Sequence, residues 1–375
     1  MSNYIGLDVS LKTTSICIMN QTGKILKEMV VTTDPREIAK VISITELTVE
    51  KVALECGGTS HWLTKELKKL GLPVICIDAR KMSAAISIRA NKTDKNDAQE
   101  IANALRTGYY KEIYQKQDHI MEKQTLLTSR RLLIDQSTQT INCIRGLLKT
   151  QGKLSCGSSQ NEKKFIESVQ IILKEINEDV SLSINALLNT YKVIYQEVSK
   201  IDDRIEKITE GDEDIQLLKT IPGVGTVTAL TFKLEIDDPS RFKKSRSVGA
   251  YAGMTPKQYS SGECQKQGAI SKAGSSELRA LLCQAAMCMM YNTKTWSQPK
   301  LFGLKIKKKH GHKKAVVALG RKLAVIMHRM WIERKCFEAG KVEQKEIDKL
   351  QRISKRKLMK HTQRTRKNEE TGIVA

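Results

Sequence analysis

The sequence predicts an α/β domain followed by a mainly helical body, and three observations carry that prediction. Short apolar strand signals open the chain and give way to alternating helix and strand signals. From about residue 110 to 210 proline is absent and apolar residues recur at helical spacing. A tight Gly-x-Gly turn then separates two further helical segments.

The first strands run from Tyr4 to Ser10, Thr14 to Asn20 and Ile25 to Thr32, with the turn Asn20-Gln21-Thr22-Gly23 before the third. Three in succession form a meander. A helix signal begins near Asp34-Pro35, then come a strand at Lys51 to Glu55, a helix from Ser60 to Leu70 and a strand at Pro73 to Ile77. A last helix of this region leads into Thr93 to Leu105. This is the order of an RNase H-like domain, in which the first and fourth strands are neighbours. Asp8 then lies beside Glu55, and Asp94 and Asp97 face them from the later helix.

Those four carboxylates sit where apolar or neutral side chains are expected. Asp8 interrupts the run Tyr4-Ile5-Gly6-Leu7-Asp8-Val9, and Glu55 ends Val52-Ala53-Leu54-Glu55. The spacing of Asp94 and Asp97 puts both on one face of a helix's first turn. Singly, each suits a turn or a helix cap. Together they repel one another unless a cation is present, and a hard ion, Mg²⁺ or Mn²⁺, resolves that conflict.

Residues 111–212 predict a long helical hairpin, a coiled-coil arm with a seam through Leu126, Leu133, Ile141, Ile144 and Leu148 and a break around Gly152 to Ser159. Residues 213–298 open on Ile221-Pro222-Gly223-Val224-Gly225, a helix-hairpin-helix. There Gly223 and Gly225 let backbone N–H groups approach a phosphate. A turn-rich stretch follows with Ser261 before a glycine and Lys257, Lys266 and Lys272 nearby. Its serine is a candidate nucleophile if cations stabilise the alkoxide and phosphorane. A helix from about Ser276 to Met290 carries Arg279 near its start as a further nucleic-acid contact.

The chain holds 64 Lys and Arg against 41 Asp and Glu, a formal net charge of +23. From Lys300 onward there are 23 basic and 7 acidic residues, whereas residues 1–110 carry 15 and 12. Such asymmetry predicts a polyanionic partner, DNA or RNA, and sets residues 299–375 apart as a basic helical extension. Nine cysteines without a Cys-x-x-Cys pair, and no export-type leader, predict a reduced cytoplasmic setting close to the nucleoid. No apolar run reaches the ~20 residues of a membrane span. His310 and His312 read as surface residues.

In their joint order, Gly6-Leu7-Asp8-Val9-Ser10, Ala53-Leu54-Glu55, Thr93-Asp94-Lys95-Asn96-Asp97-Ala98, Ile221-Pro222-Gly223-Val224-Gly225, Ala250-Tyr251-Ala252-Gly253-Met254-Thr255-Pro256, Tyr259-Ser260-Ser261-Gly262 and Ile270-Ser271-Lys272-Ala273-Gly274 form a distinctive set. The chain resembles, over nearly its whole length, transposases of the insertion sequence 110 family, the 110/116/902 type. The resemblance implies a Holliday-junction-resolvase-like (RuvC-like) domain at residues 1–110 with a DEDD set matched by Asp8, Glu55, Asp94 and Asp97. It implies a coiled-coil arm and a C-terminal transposase domain whose nucleophile matches Ser261, with Ser260 the alternative. It also implies a homo-oligomer, a dimer or tetramer, with composite active sites, and a noncoding bridge RNA that pairs with donor and target DNA. The long basic tail departs from the compact family pattern. Two other readings are a metal-dependent junction nuclease without a covalent intermediate and a non-catalytic nucleic-acid-binding protein.

Overall fold

The computed structural model describes residues 2–78, 93–153, 162–261 and 264–349. Part of the expected break in the arm, the glycine after Ser261 and the tail beyond Lys349 lie outside these residues. The chain divides into two compact units, Met1–Gln117 and Asp118–Ala375.

The first unit is built on a five-stranded sheet of order β3-β2-β1-β4-β5, comprising β1 (Asn3–Val9), β2 (Thr13–Asn20), β3 (Ile25–Thr32), β4 (Val49–Glu55) and β5 (Val74–Ile77). The first three strands form the expected antiparallel meander, and β1–β4 and β4–β5 pair in parallel. Parallel neighbours need crossovers, here α1 (Pro35–Ser43) and α2 (Ser60–Lys69). Alternation along β1 sorts two faces. Ile5 and Leu7 pack with Ile38, Ile42, Leu63 and Leu67 of those helices, while Tyr4 packs with Ile101, Ala104 and Leu105 of α3 (Asp94–Thr107). Ile5, Leu7, Leu54, Leu63 and Leu67 are fully buried, each stabilising the fold by about 1.5–3 kcal/mol.

The unit continues past residue 110. Asp78 N–H donates to the Lys111 carbonyl at 3.0 Å and Ile113 N–H to the Cys76 carbonyl at 2.8 Å, so this segment lines the β5 edge.

The second unit begins with α4 (Asp118–Thr150), α5 (Glu162–Leu173) and α6 (Glu178–Thr209). Where the sequence predicts a two-helix hairpin, the arm has a third helix, because Phe165, Val169 and Leu173 give α5 an apolar face that packs on Ile144, Leu148, Ile184 and Leu188. Leu127, and not Leu126, is the buried residue near the base of α4. Arg130 reaches across to Asp202, tying α4 to α6.

The body comprises α7 (Glu213–Lys219), α8 (Thr226–Ile236), α9 (Arg246–Tyr251), the hairpin β6 (Pro256–Ser261) and β7 (Cys264–Ile270), α10 (Ser276–Tyr291), α11 (Gln298–His310) and α12 (His312–Glu333). One core joins Phe232 and Leu234 of α8, Leu282 and Met289 of α10 and Leu319, Leu323 and Met327 of α12. The helices after residue 299 are therefore part of this core. Their cations mask an apolar stripe, which is why the sequence reads them as an extension. The turn-rich stretch around Ser261 is likewise a β-hairpin, in which the successive residues Gln258 to Ser261 pair antiparallel with Gln267 to Cys264.

Candidate active site

Register brings the first two carboxylates together. The last parallel pair of β1 and β4 is Leu7 with Leu54; Asp8 and Glu55 follow it side by side at the C-terminal ends of neighbouring strands. Both are half-buried. The helix bearing the other two carboxylates is held on the same face by a close approach. A Cβ on Gly6 would stand 2.1 Å from the Ala98 carbonyl oxygen and 2.6 Å from Ala102 N, so only glycine lets α3 rest on β1.

Contacts along α3 fix its direction. Tyr4, early in β1, meets Ile101 and Leu105, while Gly6 meets Ala98, so α3 runs antiparallel to β1 and its start overhangs the Asp8 end. Thr93 caps that start, its Oγ1 accepting from Asn96 N–H at 3.3 Å. Asp97 is half-buried and Asp94 exposed, both in the first turn, where the helix dipole favours negative charge.

Residues that sequence reasoning passed over position this turn. Lys95 pairs with Glu28 of β3 at 2.7 Å, and Gln99 Nε2 donates to the same carboxylate at 2.5 Å. The Lys95 and Gln99 hydrogen bonds hold the Glu28 carboxyl below its ordinary range, and Glu28 in turn raises Lys95. The sequence signal was Gly6 and Asp8 sharing one parity of β1, with Lys95 and Gln99 one turn apart on α3.

All four donors are carboxylates, the oxygen chemistry that suits a hard divalent ion. Glu55 Oε1 and Asp97 Oδ1 are buried atoms that accept no hydrogen bond, although both residues have other interactions. The donor set therefore fits a divalent cation in kind. Among the described residues no three His, Cys, Asp or Glu side chains are gathered tightly enough to hold one unaided. Like charges at the end of one sheet keep apart until a cation offsets their repulsion.

In the second unit, Ser261 pairs with Cys264 as the last rung of the β6–β7 hairpin, followed by Ser260 with Gln265 and Tyr259 with Lys266. The hairpin base is locked. Ser271 N–H donates to the Thr255 carbonyl at 2.8 Å and Lys272 N–H to the Gly253 carbonyl at 3.0 Å. A Cβ on Gly274 would lie 2.1 Å from the Tyr251 carbonyl oxygen. Arg279 Nη1 donates to the carbonyls of Gly274 at 2.7 Å and Ala252 at 3.3 Å, so this guanidinium braces the loop. Lys257 and Lys272 are exposed.

The two glycines of the α7–α8 turn differ. Gly223 has φ +93°, and a Cβ there would stand 2.8 Å from the Ala285 carbonyl oxygen, so it lets the turn lie on α10. Gly225 is exposed, opens α8 without a side-chain cap and has open space around it.

Known families match both units. A DEDD transposase profile of the IS110 type matches residues 5–151, spanning Asp8, Glu55, Asp94 and Asp97, and the profile of the transposase IS116/IS110/IS902 family matches residues 215–301, spanning both glycines and the hairpin. The chain belongs to the IS116/IS110/IS902 transposase family. It is similar to the transposase for insertion sequence element IS1111A of Coxiella burnetii, 28% identical over 90% of this chain and 91% of that one. The transposase for IS1328 of Yersinia enterocolitica is 26% identical over 64% of this chain and 70% of its own. A pilin gene-inverting protein of Moraxella bovis is 30% identical over 32% of this chain and 38% of its own. This transposase acts on DNA as a recombinase of an insertion sequence. Among its described residues no helix is long and apolar enough to cross a membrane.

Proposed function

We propose that this transposase cuts and rejoins DNA strands through a covalent serine intermediate, at a site where Asp8, Glu55, Asp94 and Asp97 hold Mg²⁺ or Mn²⁺. The observation that carries the metal reading is the side-by-side register of Asp8 and Glu55 beneath the helix that Gly6 admits. The bound ions supply charge neutralisation at the phosphate and activation of the attacking oxygen. Glu55 and Asp8 hold position through their strands, and Asp97 and Asp94 through the Thr93 cap and the Lys95–Glu28 clamp.

Ser261 is the nucleophile in this reading, supported by its backbone position at the last rung of the hairpin, with Ser260 the alternative. Its Oγ forms a bond to phosphorus, the strand's sugar oxygen departs with a proton, and a phosphoserine ester conserves the bond energy for rejoining. Attack by a hydroxyl of another strand then releases the serine, so no nucleotide cofactor is consumed. The relative that inverts a pilin gene has a name consistent with strand exchange of this kind. We further propose that a noncoding guide RNA pairs with donor and target DNA. A protein relieved of reading sequence needs mainly backbone and shape contacts, which suits the lysine excess.

The test is covalent trapping with purified protein, Mg²⁺, the element's flanking RNA and labelled junction DNA. A DNA–protein adduct formed by the parent, and absent for both Ser261→Ala and Asp8→Asn, is the expected result. Free cleavage products without an adduct, and retained by Ser261→Ala, would replace this reading with that of a junction nuclease. An adduct lost only in Ser260→Ala moves the nucleophile by one residue.

A further inference from the structure

The molecule carries a charge pattern that the carboxylates, the serine and the helix-hairpin-helix do not use. Between Leu278 and Ile332 there is no Asp or Glu. The densest cations of this stretch meet where α11 turns into α12. Residues 307–314 are all exposed, and they read Lys307-Lys308-Lys309-His310-Gly311-His312-Lys313-Lys314.

Part of this pattern has a structural reason. Lysines in the last turn of α11 complement the negative end of its dipole. Lys305 pairs with Glu346, and Lys307 lies 4.5 Å from the centre of the Tyr291 ring. The Tyr291 hydroxyl meets His312 Nδ1 at 2.8 Å.

The other side of the corner has no such reason. Lys313 and Lys314 stand in the first turn of α12, at the positive end of its dipole, where cations are destabilising. That turn holds no acidic residue, and its cap, Gly311 with φ +86°, supplies no side-chain acceptor. Among the described residues Lys308, Lys309, Lys313 and Lys314 make no ion pair. Cations crowded onto a helix start, with uncapped N–H groups beside them, are offset by an external polyanion.

We propose that the α11–α12 corner is a docking surface for the phosphate backbone of duplex DNA, with Lys308, Lys309, Lys313 and Lys314 as its contacts. DNA is the substrate of a transposase of this family. Residues 299–314 include no Asn, Gln, Arg, Asp or Glu, so apart from lysine, which can also meet guanine, the stretch lacks the side chains that read base edges in pairs of hydrogen bonds. Lysine ammonium groups are compact charges that position a phosphate without reading sequence. The surface thus holds DNA of any sequence in register for the chemistry. The inference rests on family membership and not on the serine or metal reading.

The experiment measures binding of the full-length protein to a labelled DNA duplex of arbitrary sequence across a salt series. Each phosphate contact contributes about 0.9 to the slope of log affinity against log salt. Replacing Lys308, Lys309, Lys313 and Lys314 with Gln is expected to reduce that slope by about 3 to 4. A control with Lys24, Lys40, Lys149 and Lys174 replaced by Gln changes it far less. The quadruple variant melts no lower than the parent, because removing Lys313 and Lys314 relieves repulsion at the start of α12. A second variant, Lys308→Gln with Lys309→Gln, leaves α12 intact and loses about half as much slope. The salt series is run in EDTA without divalent ions, which separates this surface from the catalytic reading. An unchanged slope, an equal loss in the control, or a loss seen only with an RNA duplex of the same sequence overturns the proposal.

Discussion

At the scale of single residues, Gly6 is the position on which the candidate metal site depends most directly. A methyl group there would meet backbone, the Ala98 carbonyl at 2.1 Å, and backbone within a packed helix cannot turn aside as a side chain can. Gly6→Ala is expected to lower stability by about 1–3 kcal/mol, the range for overpacking, and to lift the start of α3 from β1. Denaturant unfolding reads the first effect, and the trapping assay reads the second as lost cleavage. Gly58→Ala, with nothing within 4 Å of its Cβ, changes stability by less than about 0.5 kcal/mol. Asp8 and Glu55 stood out in the sequence as candidates because a carboxylate interrupting or ending an apolar run is conspicuous. Gly6 was not, since a glycine in a strand declares a close approach without naming what approaches. Gly223 and Arg279 show the same limit. The sequence marks them as candidates for phosphate contact, and the fold gives the first a place against α10 and the second two backbone carbonyls.

At the scale of elements, the α7–α8 helix pair is clamped by a charge network as well as by Gly223. Lys233 of α8 lies 2.7 Å from both Asp212 and Asp214 at the start of α7, and Arg334 also reaches Asp214. Burial would raise the Asp214 carboxyl, but Lys233 and Arg334 overcome it and hold the group below its usual range. A carboxylate depressed in the folded state contributes stability that is complete above its unfolded value of about 4 and is lost as pH falls through the folded value. The parent is therefore expected to lose more stability than Asp214→Asn when denaturant unfolding is repeated below pH ~4. Lys233→Met at neutral pH leaves two facing carboxylates and costs about 1–2 kcal/mol, a modest figure for a partly exposed cluster. If the unfolding midpoint of that variant matched the parent's, the network would be no more than surface decoration. Among the elements, the meander and crossovers were readable because periodicity announces them. Helix α5 and the β6–β7 hairpin were not, since short segments need partners before their pattern takes a meaning.

At the scale of the whole molecule, the family resemblance implies that carboxylates and serine act in an oligomer, with different copies serving one cut. Asp8→Asn and Ser261→Ala proteins, each inactive alone, are then expected to regain adduct formation and strand transfer when mixed. Continued inactivity of the mixture, with both variants folded and bound to DNA, would confine each reaction to one copy. The sequence by itself determined the class of chemistry and the family. The order of strands, the parity of Asp8 and Glu55, the acidic first turn of α3 and the excess of cations are all local or compositional properties, written in consecutive residues. Tertiary structure alone decided which glycines are contacts and which are open. It also brought Lys95 to Glu28 and made the helices after residue 299 part of the core. These depend on residues far apart in the chain meeting at atomic distances, and spacing along one strand or helix carries no record of what will be packed against it.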